Sequence, residues 1–322
     1  MTLKEAGKSP ARKPRRPKPR RTAEDWQDEA RRVAQGIRRR VLDHTVKNNG
    51  GYLSQACSAA EILATLYVKV MHLGRVPSPL CPKPFPGVPG PRNRRYSTGA
   101  AFNGPKGPRY DRFFLSPSQY ALVHYAALVE LGRMVPEGLE EFNRDGGTVE
   151  MIGAEHSPGG EVMSGSLGQG LSQAAGIALA RKLRGEPGRV WVFMSDGEFQ
   201  VGQTWEAIQA MAFHHIDHLG IYVDINGQQC DGRMEKVMNV EPLEARLAAF
   251  GARVFRVNGH DVAALAAPAE LRPDGRPLVV LADTDPCRGV DLLRARAPKL
   301  HYLRFKSEEQ RQAYRQLLER TA

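Results

Sequence analysis

The chain has 322 residues, enough to bury a large core as one big α/β domain or two smaller ones. Hydrophobic residues make up 41% of it, yet no apolar run approaches the length that spans a bilayer, which excludes an integral membrane helix protein. Cys57, Cys81, Cys230 and Cys287 are scattered with no C-x-x-C pair, so neither a zinc site nor a disulfide framework is suggested.

The net charge of +11 says little about the folded body. Nine bases and one acid precede Thr22, so eight of the eleven net charges lie in residues 1–21. Pro10, Pro14, Pro17 and Pro19 forbid a regular helix there, and the segment reads as a disordered basic tail, passive or tethering a partner. It could touch nucleic acid or an anionic surface nonspecifically. No aromatic residue is interleaved and no recognition fold follows, so specific nucleic-acid binding is not expected. The start, Met1-Thr2-Leu3-Lys4-Glu5, lacks the apolar core of a secretory signal, and a reducing cytoplasm is the default location.

Residues 22–322 read as one domain. Thr22 caps a helix that runs to about Val46, Asn48-Asn49-Gly50-Gly51 breaks it, and a second helix is expected from Ser58 to about Met71. Residues 75–110 are rich in Pro, Gly and Arg; so long an irregular stretch is a lid, a partner contact or a plain surface loop. A helix from Ser118 to about Leu131 follows, then Gly-rich turns over 146–166 and a helix beginning near Gly168. The apolar runs Val190–Met194 and Leu219–Val223 read as buried parallel strands, with Trp205, Ile208 and Ala212 at helical spacing between them. Further strands are expected at Val254–Val257 and Leu278–Ala282, flanked by helices at about 241–249 and 307–319. This alternation predicts a doubly wound, mostly parallel sheet with helices on both faces.

Two short sequences carry the chemistry. Ser195-Asp196-Gly197 ends the first apolar run, and Asp224-Ile225-Asn226-Gly227-Gln228 ends the second about thirty residues later. In a strand–helix–strand unit ligands bind at the carboxyl ends of the strands, where Asp196 and Asn226 fall. A carboxylate, an amide carbonyl and backbone carbonyls are hard oxygen donors suited to Mg²⁺ or Ca²⁺. Gly197 lets backbone N–H groups approach an anion such as a diphosphate. Either piece alone is an ordinary turn or loop; the pair at this spacing is not.

With Ser164-Gly165-Ser166-Leu167-Gly168-Gln169-Gly170-Leu171-Ser172, Asp111-Arg112-Phe113-Phe114-Leu115-Ser116 and Ser58-Ala59-Ala60-Glu61-Ile62-Leu63, these motifs resemble the thiamine diphosphate enzymes, and among them the transketolases, over roughly residues 24–315. The resemblance implies the thiamine diphosphate-binding fold. It implies that Asp196, Asn226 and the Gln228 carbonyl hold the metal. Gly197 would meet the diphosphate, and Gly165 and Leu167 the aminopyrimidine end. It also carries over Glu206 from an acidic network that links cofactor sites in the family. The cofactor supplies the reactive carbanion, so the protein anchors and activates it.

Four histidines bind substrate oxygens and shuttle protons in the family, and here the sequence departs from it. Tyr52 and Gln119 stand where the first two are expected, His156 is the candidate for the third with altered spacing, and His301 retains the fourth. Tyr and Gln can hydrogen-bond a polyol but do not titrate near neutrality as His does. Ser195 replaces a Gly, and Val201 replaces an acid of the network. His260 reads as structural, and His124, His214 and His215 as packing or surface residues. In the family the activating Glu and an aromatic pocket lie on a second domain, and no further strand–helix units follow here to build it. The leading expectation is therefore the N-terminal subunit of a split transketolase, acting on a small sugar with a C-terminal subunit that carries the pyrimidine-binding and C-terminal domains, in an α2β2 assembly. The alternatives are a related carbon–carbon ligase using an α-keto acid donor, or a non-catalytic cofactor-binding homologue.

Overall fold

A computed structural model describes residues 23–320; the basic segment 1–21 and the Thr22 cap lie outside them. Helix α1 (Ala23–Asn48) buries Ala30, Val33, Ala34, Ile37 and Val41, an i, i+3, i+4 stripe, against α2 (Leu53–Thr65) and α3 (Ala121–Glu130). All thirteen residues of α2 are buried. The helix thus begins at Leu53, ahead of the Ser58 expected, and its polar Ser54 and Gln55 are interior residues. A π-helical turn, Leu66–Val70, finishes it.

Among the described residues seven strands follow: β1 (Arg112–Leu115), β2 (Val190–Ser195), β3 (Leu219–Ile225), β4 (Gln228–Gln229), β5 (Gly232–Arg233), β6 (Arg253–Asn258) and β7 (Leu278–Asp283). Five form a wholly parallel sheet in the order β1-β2-β3-β7-β6, while β4 and β5 make a small antiparallel hairpin. The remaining helices are α4 (Gln169–Leu183), α5 (Gly202–Phe213), α6 (Met234–Val237), α7 (Leu243–Ala249), α8 (Val262–Glu270) and α9 (Glu308–Arg320).

Alternation along the central strands divides two cores. Trp191, Phe193, Tyr222 and Val280 join α1, α2, α3 and α8 on one face. Val192, Met194, Ile221, Val223, Val279 and Leu281 join α4, α5 and α7 on the other. The doubly wound sheet expected from the sequence is present. Strand β1 and helix α8 are additions to that expectation.

The Pro-rich stretch has little regular structure beyond a 3₁₀ turn at Gly99–Asn103. It is tied down by backbone bonds from Leu80 to Arg133, Phe85 to Gly146 and Gly99 to Glu155, at 2.7–2.9 Å. Among the described residues no helix is long and apolar enough to cross a membrane.

Candidate functional site

In the β2–β3 register Ser195 lies opposite Asp224, so the two chain segments leave the sheet side by side. Asp196 starts a 3₁₀ turn, Asp196–Gln200, closed by a capping box between Ser195 and Glu198. Gly227 has φ +66°, a conformation glycine adopts freely, and its amide donates to Asp196 Oδ2 at 2.9 Å. Asn226 Oδ1 accepts from the Gln228 amide at 2.9 Å. The Asn226 side-chain amide donates to the Tyr120 hydroxyl at 3.0 Å.

Two oxygens here lack any partner: Asp196 Oδ1 and Gln228 Oε1, both buried. Burial, and then the neighbouring Asp224 carboxylate, push the Asp196 carboxyl up to about 8. A buried acid with an orphaned oxygen, beside an orphaned amide oxygen, fits a hard cation as its missing partner. Among the described residues no three His, Cys, Asp or Glu side chains converge, so a cation here would rest on one carboxylate with amide and carbonyl oxygens.

Asp224 and Glu198 support this pair, and the motif reading gave neither a role. Asp224 is buried at the end of β3 and accepts from Ser58 at 2.5 Å, Tyr120 at 2.7 Å, Thr284 at 2.5 Å and Asn226 at 3.2 Å. Burial raises its pKa while these donors work in the opposite sense. Glu198, also fully buried, accepts from Ser116, from the Gly168 amide at 3.0 Å and from the Ser195 amide at 3.0 Å. It therefore joins the ends of β1 and β2 to the start of α4. Gly168 has φ +77°, and a Cβ there would stand 2.8 Å from Thr204 Oγ1, so the loop tolerates no side chain at that position.

Above this floor lies a cleft of about 290 Å³. It is lined by Gly165, Leu167, Gly197, Asn226, Gln228, Gln119 and His301, all singled out from the sequence. Asp196 lines an adjoining hollow with Asn226, Gly227 and Gln228. Tyr52 stands at the rim, its ring edge-on to His301 with centroids 5.6 Å apart. Burial lowers the His301 pKa, against the opposing pull of Asp231, and raises that of Tyr52, which favours the neutral form of each. The sequence reading missed Ser54 and Gln55, which also line the cleft. Gln55 donates to the His301 carbonyl at 3.0 Å, and its amide nitrogen is 3.5 Å from His301 Nδ1.

Two expected site residues do not reach the cleft. His156 is held beneath the Pro-rich stretch, its ring against Phe85 at 4.4 Å and Nε2 2.9 Å from a Glu150 oxygen. Glu206 is exposed on α5, because Thr204, Ala207 and Ile208 take the inward face of that helix; it lines a separate groove with Ser172 and Gln203. His260 and His124 are interior, as expected of structural histidines.

A parallel sheet with an acid, an amide and Gly-rich turns gathered at its carboxyl edge defines an α/β domain built to hold an anionic cofactor. Residues 100–284, more than half of the chain, match the thiamine diphosphate binding domain of transketolase. A transketolase family protein of Sinorhizobium fredii is 34% identical over 88% of this chain and 92% of its own length. A 6-deoxy-6-sulfo-D-fructose transketolase subunit of a Clostridium species is 30% identical over 77% of this chain and 82% of its own. An apulose-4-phosphate transketolase subunit of Actinobacillus succinogenes is 28% identical over 88% and 93%. The chain belongs to the transketolase family and corresponds to its N-terminal, thiamine diphosphate-binding portion. Solved transketolases share its fold: that of Pichia stipitis superposes with a TM-score of 0.66 at 20% identity, covering 91% of this chain but 44% of that one. The Campylobacter jejuni enzyme gives 0.65 at 19% identity, covering 91% and 46%. This chain thus spans under half the length of the solved transketolases that it matches.

Proposed function

We propose that this chain is the diphosphate-gripping subunit of a two-chain transketolase, which moves a two-carbon ketol unit from a ketose or ketose phosphate to an aldose. Its match to relatives named as subunits runs over most of their length, whereas it spans less than half of the one-chain enzymes. The observation that carries the reading is the pair of buried, unpartnered oxygens on Asp196, just past β2, and on Gln228, in the hairpin that follows β3. Asp196, Asn226 and Gln228 would hold Mg²⁺ (or Ca²⁺), and the cation would offset the charge of both Asp196 and the diphosphate.

When bound, thiamine diphosphate supplies the carbon nucleophile for making and breaking the carbon–carbon bond. The residues of this chain position that chemistry. Gly197 leaves the backbone open to the diphosphate, while Gly165 and Leu167 border the ring end of the cleft. His301, whose neutral form burial favours, can accept a proton from a substrate hydroxyl, and Gln119 and Tyr52 can hydrogen-bond a polyol. With two uncharged groups in place of histidines, the rim suits a modified or deoxy sugar better than the ordinary pentose phosphates.

Residues 22–322 would form this one domain, with 1–21 as an appended basic segment. The partner would be a C-terminal transketolase subunit contributing the pyrimidine-binding and C-terminal domains, in a two-plus-two assembly with sites between unlike chains. The cysteines are all free among the described residues, which fits a reducing cytoplasm.

Activity is measured for the purified chain alone, for a second polypeptide carrying the pyrimidine-binding domain, and for the mixture, with ketose donors and with pyruvate. Ketol transfer by the mixture alone supports the reading. Transfer by this chain without a partner overturns its split character, and turnover of pyruvate in place of the ketose overturns the donor.

A further inference from the structure

A second cavity, of about 520 Å³, shares none of the lining residues of the cofactor cleft. It lies between α1, α2 and the loops that follow β6 and β7. Four arginines line it: Arg31, Arg38 and Arg39 from α1, and Arg288 from the loop after β7. The single carboxylate in the wall, Glu61, is already engaged. It is paired with Arg38 and lies 3.1 Å from His260 Nδ1. The Asp285 amide donates to His260 Nε2 at 2.8 Å, which fixes the ring with its proton on Nδ1, facing Glu61. With Arg38 paired to Glu61 and Arg31 to Asp28, the wall keeps two uncompensated positive charges among the described residues, Arg39 and Arg288.

The arginines differ in how far they are occupied. Arg31 leans out to Asp28 at 2.8 Å on the exposed face of α1. Arg38 is half-buried, and its Nε is buried without a partner. Among the described residues Arg39 and Arg288 have no carboxylate partner at all. Arg39 and Arg288 are exposed at the mouth of the hollow, and guanidinium groups gathered around one hollow repel one another unless an anion joins them. A fork of N–H donors matches the oxygens of a phosphate, and the hollow exceeds what a bare phosphate fills.

We propose that this cavity is a second, non-cofactor site that binds a small phosphomonoester, its phosphate held by Arg38, Arg39 and Arg288. The remainder of the ligand would lie over Leu42 and Val290, the apolar part of the wall. Glu61 and His260 act as the brace that points Arg38 inward and do not themselves meet the ligand.

The test uses the full-length chain loaded with saturating Mg²⁺ and thiamine diphosphate, so that the diphosphate floor of the cofactor cleft is occupied, and the Arg39, Arg288 double variant tells binding in this cavity from sugar binding at the rim of that cleft. Inorganic phosphate, ribose 5-phosphate and adenosine monophosphate are titrated calorimetrically. Ribose 5-phosphate or adenosine monophosphate is expected to bind more tightly than phosphate itself. The double variant Arg39→Gln, Arg288→Gln, whose positions are exposed and make no described ion pair, should weaken that binding about ten-fold or more. Its cofactor affinity should be unchanged. The proposal fails if none of the three binds at millimolar concentration, or if the double variant binds as the parent does. It fails too if adding the partner polypeptide abolishes the binding, since the cavity would then be a subunit seat.

Discussion

The Gly227 amide donates to Asp196 Oδ2 at 2.9 Å, and the opposite oxygen, Oδ1, is buried with nothing to accept. One half of the carboxylate is thus fixed by the backbone and the other is left for a ligand. Asp196→Ala should lose Mg²⁺-dependent binding of thiamine diphosphate by about a hundred-fold or more, the worth of a charged ligand atom facing a dication. Asp196→Asn should keep the Gly227 bond and still lose most of the affinity. Calorimetric titration with and without Mg²⁺ checks this, and an unchanged affinity would take Asp196 out of the site.

Asp224→Ala removes the acceptor shared by Ser58, Tyr120, Thr284 and Asn226 and strands the Tyr120 and Thr284 hydroxyls, while Ser58 keeps the Gln55 carbonyl and Asn226 keeps Tyr120. The expected loss is roughly 3–5 kcal/mol of stability, read from denaturant midpoints. Asp224→Asn should cost clearly less, since one oxygen remains to accept. Equal losses in the two variants would mean that the charge, and not the set of bonds, is what the site needs.

Gln55 holds His301 through the backbone carbonyl. Gln55→Ala should leave the fold intact and, if His301 meets the substrate as proposed, lower kcat/KM of the assembled enzyme roughly ten-fold by displacing it. Steady-state kinetics beside a cofactor titration separates the cases: a fall in cofactor affinity as well would place the effect on the floor of the cleft.

The pH dependence of stability has a traceable contributor in His124. Burial holds its pKa down at about 3 against 6.5 for a free histidine. Tyr67 donates to Asn103 Oδ1 at 2.8 Å, which leaves the His124 Nε2–H to donate to the Tyr67 oxygen at 2.7 Å. The unfolded chain binds this proton below about pH 6.5 and the folded chain does not until about pH 3. Stability should therefore fall as pH drops through that window, by up to about 1.4 kcal/mol per pH unit. His124→Gln should flatten the acid limb of a plot of Tm against pH. An identical slope in the variant would assign that limb to other groups.

The strand ends were legible because Asp196 and Asn226 follow apolar runs that only a buried parallel strand explains. The start of α2 was not. A helix buried on every side has no polar face, so Leu53 to Cys57 offered no period to read, and Ser54 and Gln55 looked like loop. Helix α8 carries Pro268 inside it, a residue that argues against helix. Strand β1 is four residues long, too short to stand out from the motif containing it. Within the site, Asp224 and Glu198 sat in quoted motifs, but a carboxylate's burial and its donors come from distant segments, residues 58, 116, 120, 168 and 284. Order along the chain is what nominates His156 and Glu206, and the fold takes both elsewhere.

Glu198, by accepting from Ser116, Gly168 and Ser195 at once, makes the cleft floor a shared fixture of three loops, whereas Tyr52, Gln55 and Gln119 stand on the wall and rim, outside that fixture. For an engineer this divides the protein into a chassis and a tool-holder. On the proposed function, libraries confined to positions 52, 55 and 119 are expected to search sugar preference while cofactor retention is kept, whereas any library that includes 116, 168, 195 or 198 is expected to be dominated by variants that no longer carry the tool.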